Sequence, residues 1–332
     1  MEGLKKIFWL IVFLISAFLI SSFVIEPKVM EIQSKKQNQT TEADEETINL
    51  IFTGDIMLNR GVEYAIKQNN DWKLPFLKIA EFLQKADLVF GNLESVISDK
   101  GTKVGSLYSF RADPRTIEGL VFASFDVLSL ANNHAFDYTS EALIDTIIRL
   151  KLADISSVGA DMTKEAAFAP LIKEIKDTKI AFLAYTNLGP SSWQAGLNNP
   201  GIAWIDENDF PQIQEDIEKA KQESDVLIVS LHAGTEYEPE PDQFQKDFSK
   251  MAIDAGANLV IGHHPHVVQP YEEYKNGWIF YSLGNFIFDQ DFSEETMKGQ
   301  IVKVVIKNGK INKVIPINIK INESFQPEII KS

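Results

Sequence analysis

Six short apolar runs set the limits on what this chain can fold into: TINLIF, ADLVF, FDVLSL, KIAFLAY, SDVLIVSL and ANLVI. Each is rich in β-branched or large apolar residues and is strand-length rather than helix-length. Their nearly continuous apolar character predicts strands buried on both faces. Helical patterns fall between them: LPFLKIAEFLQKA, SEALIDTIIRLKL, FPQIQEDIEKAKQE and DQFQKDFSKMAIDAG, the last closing on Gly256, a residue suited to ending a helix. Strand–helix alternation of this kind predicts an α/β fold around a largely buried sheet. The closing stretch IVKVVIKNGKINKVIPINIKI changes character, with Asn308-Gly309 between two alternating runs. That is the signature of an antiparallel hairpin, which would complete a mixed sheet.

Polar residues gather where the apolar runs stop. Asp55 follows the first; Asn92 and Glu94 follow the second; Asn133 and His134 follow the third. His232 ends a later run, and His263, His264 and His266 follow the last in the sequence GHHPH. All five histidines of the chain therefore lie at or just past a strand's carboxyl end, the edge where open α/β sheets build their sites. Carboxylate, carboxamide and imidazole together suit Mn, Fe or Zn better than Mg or Ca. In an extended His264-Pro265-His266 segment, alternation sends both imidazoles to one side, and the proline restricts His264 to that conformation. His263 is then expected to point away.

Composition narrows the partners. The formal net charge of −15 argues against nucleic acid or an anionic membrane surface, although a bound divalent cation reverses the field locally. With no cysteine in the chain, disulfides, thiolate ligation and a cysteine nucleophile are excluded. At the amino end, Lys5 and Lys6 precede an uncharged apolar run from Ile7 to Ile25, and about 19 residues suffice to span a bilayer core. Residues 1–6 are expected in the cytoplasm, 7–25 as a transmembrane signal-anchor, 26–46 as a flexible linker and 47–332 as an extracellular domain. A cleaved signal peptide would have a shorter apolar run and a small-x-small site before Glu26.

Together, Gly54-Asp55, Gly91-Asn92-Leu93-Glu94, Ala131-Asn132-Asn133-His134, His232 with Gly234 and Glu236, and Gly262 through His266 form an ordered set. With SFRADP (109–114), NNHAFDY (132–138) and YSLGNFIF (281–288), the set resembles the CapA family over about residues 48–290. These are poly-γ-glutamate capsule biosynthesis proteins related to the calcineurin-like metallophosphoesterases. The resemblance implies a four-layer αββα sandwich with mixed sheets. It also implies a membrane-anchored extracellular component of capsule or poly-γ-glutamate biosynthesis and export. Expected partners are the membrane subunits of a capsule polymer synthetase and an anionic polymer such as poly-γ-glutamate.

The same resemblance assigns roles. Asp55 and His266 would ligate one divalent ion, and Asn133, His232 and His264 a second. Glu94 is the nearest candidate for a bridging carboxylate, and His134 is the general acid. The chain departs from the phosphoesterase pattern by reading Asp55-Ile56-Met57 where an Asp-x-His is usual, and a thioether does not replace imidazole for such metals. Whether the site holds two ions, one, or a hydrogen-bonded polar network with none therefore stays open. Ala233 also follows His232 where tryptophan is expected in most members. The site is then either that of a metal-dependent hydrolase or transferase acting on the polymer or a phosphate group, or that of a non-catalytic polymer-binding assembly subunit.

Five further residues belong around that site. Asn92 stands beside the ligands. Arg111 either clamps a carboxylate or phosphate or forms a structural salt bridge. Asp137 either orients His134 or caps the helix starting near Thr139. Glu236 either orients His232 or meets substrate, and Asn285 is a turn residue within reach of the site or only a turn.

Overall fold

Period-two alternation sorts each strand's apolar residues onto two faces, and in the structure both faces are filled. The computed structural model describes residues 47–105 and 107–330; the expected anchor and linker lie outside them. The first sheet has eight strands. Four of them, β1 (Thr47–Ile56), β2 (Leu88–Leu93), β3 (Val127–Ser129) and β4 (Ser156–Val158), run parallel in that order.

The second sheet has six strands. Its antiparallel edge β5 (Leu171–Ile175) lies beside β6 (Thr178–Thr186), then β7 (Val226–His232), β8 (Leu259–His263), β10 (Gly277–Phe280) and the other antiparallel edge, β9 (Tyr271–Tyr274). The short β11 (Asn285–Ile287) crosses back to pair with β1. The hairpin β12 (Lys298–Lys307) and β13 (Lys310–Ile321), with edge strand β14 (Pro327–Ile329), completes the first sheet. This is a mixed α/β fold of several sheets.

Three apolar clusters follow from the alternation. Leu50, Phe52, Leu88 and Phe90 of the first sheet meet Ile180, Phe182, Ile228 and Ile261 of the second in one shared layer, where Phe90 stacks on Phe182 at 5.8 Å and 7°. The next residues in register face outward. Ile51 and Val89 pack with Val62 and Ile66 of α1 (Arg60–Asn69) and with Leu143 and Leu150 of α2 (Thr139–Leu152). Leu183, Leu227 and Val229 pack with Ile213 and Ile217 of α3 (Phe210–Gln222) and with Phe248 of α4 (Gln243–Asp254).

All six expected strands form, and the hairpin turns on Asn308 and Gly309 at φ +52° and +69°, as a two-residue turn of this type requires. The run LPFLKIAEFLQKA does not make one helix. It splits into a 3₁₀ turn, Leu74–Phe76, and a short helix, Ala80–Leu83, because Ile79 at φ −120° breaks the spiral. Phe76, Ile79 and Leu83 nevertheless all reach the outer cluster, so packing overrides propensity here. Among the described residues no helix is long and apolar enough to cross a membrane.

Two glycines let strand ends approach other backbone at positions that matter. A Cβ on Gly54 would lie 1.9 Å from the Gly284 carbonyl oxygen, and one on Gly262 would lie 1.9 Å from that of Tyr281. Each precedes a polar strand end, Asp55 or His263. Backbone cannot yield as a side-chain tip can. Gly54→Ala is therefore expected to cost about 2 kcal/mol or more, read as a lower urea midpoint at unchanged slope.

Candidate metal centre

Parallel register brings the polar strand ends level with one another. Asp55 on β1 pairs with Asn92 on β2 and with Asn285 on β11, and His232 on β7 pairs with His263 on β8. The shared apolar layer sets the two rows facing each other. Asp55, Asn92, Glu94, His232 and Asn285 are all fully buried. The Asn92 amide nitrogen lies 2.8 Å from Asp55 Oδ1, 3.1 Å from His232 Nδ1 and 3.4 Å from Glu94 Oε2. Asn132 donates to Asn92 Oδ1 and the Leu93 carbonyl, and its own Oδ1 accepts from the His134 backbone N–H.

Glu94 is the centre of the arrangement. Its Oε1 has no hydrogen-bond partner, yet it lies 3.8 Å from His134 Nε2, 3.8 Å from His232 Nε2 and 3.6 Å from His266 Nε2. Burial, then the nearby charges of Asp55, Glu236 and Asp137, push its carboxyl well above the usual range. Burial would raise Asp55 too, but the nearby imidazoles of His263 and His266 outweigh it and hold that carboxyl low. Burial first, and then neighbouring imidazoles, lower His232 and bring His264 down to about 3. Both imidazoles are thus neutral and keep a lone pair at ordinary pH.

Among the described residues, two groups have potential ligand atoms within 4.8 Å of one another: Glu94 with His264 and His266, and Asp55 with Glu94 and His232. Orphaned buried atoms, Glu94 Oε1 and His264 Nδ1, and this oxygen–nitrogen donor set both fit a divalent cation. Asn133 reaches the cluster through Oδ1, 2.7 Å from His232 Nε2. His134 holds Nδ1 at 2.6 Å from Asp137 Oδ2, which also accepts the Phe110 backbone N–H. Asp137 thus orients His134 and does not cap α2.

Several expectations need correction. His264 and His266 are not extended; they sit at φ +99° and +60°. Their rings still converge, with centroids 5.6 Å apart, because the chain reverses after β8 instead of continuing the strand. Non-glycine residues held at positive φ are uncommon and gather at functional sites. His263 does not point away: its Nδ1 lies 3.4 Å from Asp55 Oδ1. Asn285 is a strand residue whose Oδ1 is 3.0 Å from His266 Nδ1.

Arg111 is not at the site. Its guanidinium donates to the carbonyls of Lys100 and Gly101 and lies over Tyr138 at 4.1 Å, since β-type alternation turns it from the cluster. Glu236 is exposed and lines the mouth; His232 is oriented instead by Asn92 and Asn133. Met57 is buried, its sulfur accepting from the Asn59 backbone N–H at 3.1 Å.

A cleft of about 360 Å³ opens beside His134 and His266. Sequence reasoning missed several of its lining residues, among them Arg60, Tyr237 and Asp289. Only their closeness to Asp55, His232 and the YSLGNFIF stretch could have flagged them.

The fold is shared with a novel phosphatase of Mycoplasma pneumoniae, at TM-score 0.50 and 19% identity, over 82% of this chain and 94% of that one. Layers and site together define an α/β protein with a buried carboxylate–imidazole cluster whose donors suit a divalent cation. Residues 49–290 match the family described as bacterial capsule synthesis protein PGA_cap, and the chain belongs to that family. The capsule biosynthesis protein CapA of Bacillus anthracis is 32% identical over 83% of this chain and 69% of its own length. The PGA biosynthesis protein CapA of Bacillus subtilis is 31% identical over 83% and 72%.

An unpaired buried carboxylate is costly without a cation. Mn²⁺ is expected to raise the melting temperature of the wild type, and Glu94→Gln to abolish that rise while stabilising the metal-free protein by roughly 2 kcal/mol. Parallel calorimetry scans with and without Mn²⁺ check both halves.

Proposed function

We propose that this chain is an accessory protein of capsule or polyglutamate biosynthesis, and that its metallophosphoesterase-like centre acts as a metal-dependent hydrolase or transferase on the polymer or a phosphate group. The observation that carries this reading is Glu94 Oε1, buried and unpartnered among three imidazoles. The layers are read as a four-layer αββα sandwich, with the site on the rim where both sheets end. Asp55, Glu94, Asn133, His232, His264 and His266 would hold the cation, of Mn, Fe or Zn type. Bound there, it would polarise a phosphoryl or carbonyl oxygen.

The chain's own residues supply the rest. Asp137 holds the Nδ1 edge of His134, which leaves Nε2 to deliver a proton to a leaving oxygen in the cleft. Asn92 fixes the carboxylates, Asn132 holds Asn92 and the Leu93 carbonyl, and Asn285 fixes His266. Burial excludes bulk water from the inner wall, where fixed dipoles act most strongly. The second reading, a non-catalytic polymer-binding subunit of the synthetase complex, draws on Met57, whose sulfur leaves one ligand position of the phosphoesterase pattern without imidazole.

His134→Ala separates the two. The enzyme reading expects a fall of about 10²–10⁴ in turnover, with capsule polymer reduced to background while metal content and melting temperature stay at wild-type values. The assembly reading expects undiminished polymer. Placement outside the cell, on the Ile7–Ile25 anchor, has its own check. Replacing that run with a cleavable signal should release the protein into the medium, and a native chain already free there would refute the anchor.

A further inference from the structure

Arg60 stands at the cleft with a role that neither the family motifs nor the proposed ligands use. It is the first residue of α1, and its φ of +50° is a left-handed value that arginine rarely adopts. Its Nε donates to both carboxylate oxygens of Asp289 at 3.1 Å, Nη2 also reaches Oδ1, and Asp289 Oδ2 takes the Gly61 backbone N–H at 2.8 Å. Among the described residues no hydrogen bond engages Nη1. The guanidinium lies 4.8 Å from the Phe110 ring centroid, and that same ring stacks on His134 at 4.0 Å. One aromatic ring thus holds both the candidate acid and the cation.

The surroundings give the arrangement a meaning. Arg60 is one-third exposed and Asp289 only 11%, so the pair meets the cleft through its positive member. Glu236 also lines the mouth, and it would repel an anion that lacked a fixed cation to meet it. A carboxylate already sits in the guanidinium fork, which demonstrates that the fork accepts planar oxyanions.

We infer that Arg60 is the specificity-determining residue of this cleft, reading an anionic oxygen group on the substrate remote from the reacting bond, with Asp289 as its intramolecular competitor. The inference rests on the cleft being the substrate site proposed above. The incoming group, carboxylate or phosphate, shares the guanidinium with Asp289 or displaces it. Resting-state pairing keeps Arg60 ordered on Phe110 at the expense of anion affinity. Removing Asp289's charge therefore tightens anion binding, an outcome that a merely structural ion pair would not give.

The test titrates the full chain calorimetrically with oligo-glutamate and, separately, with inorganic phosphate, each with and without Mn²⁺. Arg60→Ala is expected to weaken the recognised anion by at least about tenfold, Arg60→Lys by less, and Asp289→Asn to tighten it. Whichever of the two probes loses affinity identifies the group as carboxylate or phosphate. Unchanged affinity for both probes in Arg60→Ala overturns the inference, as does Asp289→Asn weakening binding as Arg60→Ala does. If Arg60→Ala fails to fold, the opposite signs expected of Arg60→Lys and Asp289→Asn still decide. The metal-free arm keeps this result apart from the metal reading: absent Mn²⁺ uptake refutes the latter and leaves the Arg60 dependence to be read by itself.

Discussion

The apolar layer between the two sheets is what the site depends on. Asp55, Asn92 and Glu94 come from one sheet, and His232, His263, His264 and His266 from the end of strands in the other. Nothing covalent fixes their offset. The stack of Phe90 on Phe182, with Phe52, Ile228 and Ile261 around it, does so. Close-packed interiors tolerate little sliding, and a register shift of one residue along a strand would turn each of these side chains to the opposite face. Assembly of the polar cluster and stability of the core are thus two aspects of one packing arrangement.

Within that frame the polar cluster works against folding. The carboxyl groups of Asp55 and Glu94 and all five imidazoles lie almost fully buried close together, and only part of their hydrogen-bonding capacity is met internally. Asn92 and Asn132 offset some of the cost by donating to carboxylate and backbone oxygens. Glu94 Oε1 and both ring nitrogens of His263 stay without hydrogen bonds. The positive φ values of His264 and His266 add backbone strain in the same place. Strain and unmet polar groups concentrated at one rim mark a site kept for function at the expense of stability.

Around the cluster, control passes outward through ordinary hydrogen bonds. His266 is held by Asn285, Asn285 donates to Gln290, and Gln290 donates to the Tyr237 hydroxyl at the cleft mouth. His134 is held by Asp137 and by the Phe110 ring that also carries Arg60. The rim is therefore tied to the buried cluster through hydrogen bonds and ring contacts.

What the sequence by itself determined is whatever local periodicity and residue chemistry can encode. It determined the six buried strands, the Asn308-Gly309 hairpin, and the polar residues at strand ends whose donor types suit a divalent cation. Tertiary structure alone decided the rest. Arg111 and Arg60 look alike in sequence, yet the first turns to the carbonyls of Lys100 and Gly101 while the second stands in the cleft beside Asp289. The histidines around Pro265 converge through left-handed turns that no propensity foretells, and His263 meets Asp55 instead of facing away. The physical reason is that a side chain's direction at a strand end is set by the backbone reversal and the facing sheet, and both are made of contacts between residues far apart in the chain.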